Sequence, residues 1–122
     1  MFLEHSVQNS IFRAFGTRAD MRIWRQNTGV AAYGRRKVRY GVPGAADITG
    51  LIPVVQVLEC PHCGGELSTP PLGVRLEIEV KSAVGRASAD QVAYGAMIRR
   101  FGGIYVLARS VADVEEAIRA YR

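Results

Sequence analysis

The chain has 122 residues, 48% of them hydrophobic and 22% charged, which fits one globular domain and excludes both two ordinary domains and a disordered chain. Sixteen Lys+Arg against eleven Asp+Glu give a net charge of +5, an excess that points to a polyanionic partner, nucleic acid ahead of an anionic membrane surface. The longest apolar stretch, 51–58, is broken by Pro53 and Gln56 and is far too short for a membrane span. With no basic-then-apolar leader and only two cysteines, three positions apart, a cytoplasmic protein without a disulfide framework is expected.

Leu3, Val7, Ile11 and Phe15 recur every fourth residue, with Ala14 widening the stripe, and predict an amphipathic helix that ends near Gly16. Residues 21–26 alternate weakly and predict a strand, followed by a turn at 27–29. A second extended segment, 30–40, carries Arg35, Arg36, Lys37 and Arg39. A Gly/Pro turn at 41–44 leads to a strand over 47–52. Residues 53–73 form an excursion with Cys60 and Cys63 at its tip. The clearest strand is 74–81, where Leu76, Ile78 and Val80 alternate with Arg75, Glu77, Glu79 and Lys81. Ser88 followed by Gln91 has capping-box spacing and opens a helix running to Gly102. A short buried strand, 104–108, precedes a last helix capped by Ser110, with Val111, Val114, Ile118 and Tyr121 on one face. The expected class is α/β (α+β), a mixed central sheet flanked by helices in the order α-β-β-β-β-α-β-α.

Glu79 and Lys81 lie two apart on one strand and so share a face. Alone, such a pair is most often a solvated surface ion pair. Asp47 adds weight, because its strand is expected to pair across the excursion with the strand that bears Glu79. Two carboxylates brought together repel unless a cation lies between them. Mg²⁺ takes a few carboxylate oxygens and completes its shell with waters and phosphate oxygens. For Asp47 the competing role is a turn residue bonding its own backbone, and for Gln91 it is the helix cap.

The ordered set G-V-P-G-A-A-D47, E79-V-K81 and Q91 resembles the PD-(D/E)XK nuclease superfamily and, more closely, its VRR-NUC family. The likeness extends to Glu4 and Gln8 on the first helix, to R25-Q-N-T-G29, and to the G102-G-I-Y-V-L-A-R-S-V-A-D-V114 ending. It therefore spans nearly all of the chain outside the excursion. One departure is that Ala45 and Ala46 precede Asp47, where the superfamily name implies a proline. The resemblance implies a restriction-endonuclease-like core and Mg²⁺- or Mn²⁺-dependent hydrolysis of phosphodiester bonds in DNA; the compact size, without a separate specificity domain, favours recognition of structure (junctions, flaps or ends) over sequence. In it Asp47, Glu79 and the Val80 backbone carbonyl ligate metal, with Glu4 as a further ligand, Lys81 orients the attacking water or neutralises the phosphorane, and Gln91 supports them.

Arg35, Arg36, Lys37 and Arg39 stand within five residues and are flanked by Tyr33 and Tyr40. The segment is read as a DNA-contacting strand, the competing reading being a solvated edge blunted by its charges. Arg13, Arg18, Arg22 and Arg25 are candidates to extend that surface. Cys60-Pro-His-Cys63-Gly-Gly has the form of half a zinc ribbon, and zinc wants four ligands. Three readings stand: a remnant without metal, an intrachain site using His62 or His5, and a four-thiolate site shared in a homodimer. The rival functional classes are a non-catalytic nucleic-acid-binding module built on the basic strand and CxxC hairpin, and a degenerate nuclease scaffold.

Overall fold

The sheet is built where alternation is strongest. The computed structural model describes residues 3–121, and in chain order these form α1 (Glu4–Phe15), β1 (Arg22–Arg25), β2 (Gly29–Tyr33), β3 (Arg36–Tyr40), β4 (Ile48–Val54), β5 (Val57–Glu59), β6 (Glu66–Ser68), β7 (Leu72–Val80), α2 (Ala89–Arg100), β8 (Ile104–Ala108) and α3 (Val111–Tyr121). The central sheet has the order β1-β4-β7-β8. β4 runs antiparallel to both β1 and β7, and β8 runs parallel to β7. A parallel neighbour needs a crossover, which α2 supplies. The protein is thus a mixed α+β fold with helices on both faces of a mixed sheet.

The even-numbered positions of β4, β7 and β8 face one way. Ile48, Ile52, Leu76, Ile78, Val80, Ile104, Val106 and Ala108 pack there with Ile23, against Val7, Ile11 and Phe15 of α1 and Val114 and Ile118 of α3. Burying each large aliphatic contributes about 1.5–3 kcal/mol. The register Ile48↔Ile78 and Ile78↔Val106 is held by this pattern, since a one-residue slip would turn the whole apolar set outward. On the opposite face lies a smaller cluster of Ala46, Tyr94, Ile98 and Tyr105, under α2.

Helix ends follow local chemistry. Ser88 caps α2 with a complete capping box to Gln91, and Ser110 Oγ accepts from Asp113 N while Asp113 Oδ2 accepts from Arg109 N at the start of α3. Leu3, expected in the buried stripe of α1, is instead its exposed N-cap, and Ala14 also faces water; the core takes Phe12 from the neighbouring position.

Two expectations about element boundaries change. The segment 30–40 is not one strand but a hairpin, β2–β3, separate from the central sheet, because Gly34 turns the chain with a φ of 63°. The excursion is shorter than 53–73, since Pro53 pairs with Gly73 and Val54 with Leu72 at the end of the β4–β7 ladder. Its tip is a second hairpin, β5–β6. Among the described residues no helix is long and apolar enough to cross a membrane.

Candidate active site

Asp47 and Glu79 reach the same place from adjacent strands. Asp47 immediately precedes β4, and Glu79 is the penultimate residue of β7. Asp47 Oδ2 accepts a hydrogen bond from Val80 N at 2.8 Å, so its carboxylate is pinned to the end of β7. The turn that delivers it is constrained by Gly44, which has a φ of 77°. A Cβ there would stand 2.3 Å from the backbone of Asp90 at the start of α2. Only glycine satisfies both demands, so the loop carrying Asp47 is seated directly on the helix that carries Gln91.

Lys81 Nζ stands 3.3 Å from Glu79 Oε1, and its own backbone N–H donates to Ala108 O at the end of β8. Gln91 fills both of the roles open to it. Its Oε1 accepts from Ser88 N at 2.9 Å, closing the capping box, while its Nε2 donates to Glu79 Oε1 at 2.7 Å. Both partners of Glu79 therefore converge on one oxygen. The other, Glu79 Oε2, is buried and has no hydrogen-bond partner.

The electrostatics of the pair are those of a site short of positive charge. Burial, then the neighbouring Asp47, push the Glu79 carboxyl up from 4.5 to about 7, against the pull of Lys81. Burial also raises Asp47, opposed by its bond from Val80. Two crowded carboxyls of this kind hold a proton at neutral pH or exchange it for a cation. The residues fit a divalent ion: two carboxylates, one with an orphaned buried oxygen, at the end of a strand whose Val80 carbonyl is adjacent. Glu4 is close enough to raise both carboxyls electrostatically. Among the described residues, however, no three His, Cys, Asp or Glu side chains converge tightly enough to hold a metal by themselves, so the remaining coordination positions fall to backbone, water or ligand oxygens.

Sequence reasoning missed the support beneath this site. Glu77, given no role by the alternation of the strand, has no exposed surface. It accepts from Arg75 Nε at 2.8 Å, Tyr94 OH at 2.8 Å, Thr49 Oγ1 at 3.2 Å and Gln26 Nε2 at 3.3 Å. Gln26 Nε2 also reaches Ala46 O, and Gln26 N bonds Asp47 O at 2.9 Å. The network thus holds the backbone at Asp47 and at the residue before it. The signal for it was Tyr94, about one helical turn after Gln91 and on the same side of α2. Tyr105, stacked edge-on against Tyr94, fits beneath α2 because Gly95 has no side chain: a Cβ there would stand 2.6 Å from its ring.

The β2–β3 hairpin springs from this edge, between Gln26 and the Gly44 turn. Arg35, Arg36, Lys37, Arg39, Tyr33 and Tyr40 are all exposed. None of the four cations forms a salt bridge among the described residues. By contrast Arg18 is paired with the Asp20 carboxylate, while Arg25 donates to the neutral Gln8 side chain and keeps its charge. Cys60 and Cys63 lie at the head of β5–β6, apart from the carboxylates, as free thiols. Backbone N–H groups of Cys63 and His62 lower the Cys60 thiol below its ordinary value. His5, on α1, is hydrogen-bonded to Asn9. No protein-family model, curated protein or solved structure matches the chain.

Proposed function

We propose that this protein is a Mg²⁺- or Mn²⁺-dependent nuclease of VRR-NUC type, with a restriction-endonuclease-like PD-(D/E)XK core, that hydrolyses phosphodiester bonds in DNA. The observation that carries the reading is the half-buried Asp47 against the buried Glu79, with Lys81 beside them and Glu79 Oε2 without a donor. A structural ion pair would leave neither an orphaned oxygen nor a second carboxyl against the first. The arrangement of the sheet also supports the finer fold assignment, with the carboxylates at the ends of its two central strands and a crossover helix leading to a parallel neighbour.

Asp47, Glu79 and the Val80 carbonyl are the residues to hold the divalent ion. When bound, the ion supplies Lewis acidity towards the scissile phosphate and towards an attacking water. Gln91 fixes the Glu79 carboxylate by its single short bond. Lys81, held by its backbone to β8, presents its ammonium where negative charge builds on the phosphate and favours that charge electrostatically. The Glu77 network keeps the Asp47 loop from shifting, which matters because small displacements of reacting groups cost rate heavily.

The basic hairpin supplies the substrate contact. Side chains alternate along β3, so Arg36 and Val38 project to one side and Lys37 and Arg39 to the other. Five residues at roughly 3.4 Å each give it a reach of about 17 Å, enough to track several phosphates. Contacts of this kind position a duplex without reading bases, in keeping with selectivity for DNA structure (junctions, flaps or ends) over sequence. Incubation of the purified chain with labelled duplex, flap and four-way-junction DNA tests the reading. Cleavage with Mg²⁺ or Mn²⁺, and none with EDTA, is expected. Binding without cleavage under every metal condition would leave the chain a binding module or a degenerate scaffold.

A further inference from the structure

The excursion between β4 and β7 differs chemically from the rest of the chain. Over 55–71 it contains no lysine or arginine and two glutamates, on a chain of net charge +5. All six residues of β5 and β6 are exposed, and neither strand joins the central sheet. Two strands this short have no buried face to hold them, and isolated hairpins are marginal in water even when longer. Units without a core of their own depend on a disulfide, a metal or a second copy.

The head of this hairpin carries suitable chemistry. Cys60 N bonds Gly65 O at 2.7 Å and Gly64 N bonds Cys60 O at 2.9 Å, closing a tight knuckle in which Gly64 adopts a φ of 71°. Gly65 N donates to Cys63 Sγ at 3.4 Å. The N–H groups of His62 and Cys63 bear on the Cys60 sulfur, and the two thiols are within hydrogen-bonding reach of each other. Both sulfurs therefore lie where backbone N–H groups donate to them, so the knuckle holds the two thiols in place at its head. Yet the pair is only half of a site. Structural zinc is closed by four tetrahedral ligands, with thiolates common among them, and among the described residues no third His, Cys, Asp or Glu joins the two cysteines.

We propose that Cys60 and Cys63 bind zinc together with the same two residues of a second copy of this chain, one ion joining two chains through four thiolates. A two-fold axis through the ion completes the tetrahedron with no further residue, and two-fold pairs are the commonest closed assembly. The second copy also gives Val57, Leu58 and Leu67, each more than half exposed beside the knuckle, a surface to pack against. Glu59 and Glu66, paired across the hairpin below the cysteines, favour a cation there and no local basic residue opposes it.

The test uses the full chain carrying Asp47→Asn and Glu79→Gln, so that the carboxylate pair adds nothing to the metal count. Purified under reducing conditions without chelator, it is assayed for zinc by elemental analysis and for mass by light scattering. The expected result is one zinc for every two chains and a dimer mass. Chelation should give monomer, and zinc added back should restore the dimer. Cobalt in place of zinc should show the visible absorption of a tetrahedral four-thiolate site. Adding Cys60→Ser and Cys63→Ser should abolish zinc uptake and dimerisation with an unchanged circular-dichroism spectrum. One zinc per chain in a monomer, no zinc uptake by the reduced protein, or a zinc-loaded dimer that survives loss of both cysteines would each overturn the proposal. None of these readouts depends on DNA cleavage, so their failure leaves the nuclease reading standing.

Discussion

Glu77 and Glu79 stand two residues apart on the same face of β7, at 0% and 2% exposure, and their surroundings are opposite. Four donors from four elements or loops surround Glu77 and satisfy both of its oxygens. Glu79 receives Gln91 and Lys81 on one oxygen, has no donor on the other, and stands within hydrogen-bonding reach of a second carboxyl, Asp47. Burying an unsatisfied charged oxygen costs stability, and a chain under selection for stability alone has no use for it. The difference separates a carboxylate that holds the fold together from one that, on the proposed reading, is there to meet a metal ion.

Breaking the first member of the pair should have the largest effect on stability. Glu77→Ala leaves Arg75, Thr49, Tyr94 and Gln26 without their shared acceptor, and should cost about 3–5 kcal/mol, the range for removing one partner from a buried charged network. Urea denaturation reads this directly. Glu79→Gln should cost far less, because it removes a crowded charge; a destabilisation equal to that of Glu77→Ala would erase the distinction.

Lys81→Ala sharpens the comparison from the chemical side. If its ammonium meets charge that builds on the phosphate, the cleavage rate should fall about 10²–10³-fold, the scale for removing one preorganised electrostatic donor, with the circular-dichroism spectrum of the folded chain retained. Gln91→Ala removes both a cap acceptor and the partner of Glu79, and should cost about 1 kcal/mol through the missing cap together with a measurable drop in rate.

The pH dependence of stability should bear the same mark. Because the Glu79 carboxyl is raised from 4.5 to about 7 in the folded chain, the folded state binds more protons than the unfolded state across that window. Without divalent metal, stability should therefore fall as pH rises from about 4.5 to about 7 and level off above it; Asp47, also raised, acts in the same direction. Melting curves in EDTA should show the decline, Glu79→Gln should flatten it, and Mn²⁺ should restore stability above neutrality.

The smallest effect concerns the basic hairpin. Replacing Arg36 and Arg39 with alanine should weaken DNA binding across sequences and flatten the slope of log affinity against log salt by up to about 1.8, near 0.9 for each phosphate no longer neutralised. An unchanged slope would make β2–β3 a solvated appendage.

Much of this is legible in the residues. The alternation Leu76, Ile78, Val80 marks β7 and its apolar face, and the Gly/Pro turn before Asp47 places that carboxylate at the mouth of the neighbouring strand. Ser88 and Gln91 announce the capping box. What stays hidden is the burial of the other face. The alternation along β7 does not show that Glu77 is covered, because the helix above it, α2, buries only Tyr94, Gly95 and Ile98 and so has no apolar stripe to announce itself. A helix that covers polar groups has little need of one. The hairpin at 29–40 reads as a single strand because charges and tyrosines occupy both of its faces, leaving Gly34 as the one sign of the turn.

The central claim is met most directly by DNA cleavage in Mg²⁺ by the wild-type chain, Asp47→Asn, Glu79→Gln and Glu77→Gln, prepared in parallel and matched by circular dichroism. The account predicts cleavage by the wild type, none by Asp47→Asn or Glu79→Gln, and retained activity in whatever fraction of Glu77→Gln is folded. Cleavage by Glu79→Gln at the wild-type rate, or by the wild type in EDTA, would contradict it.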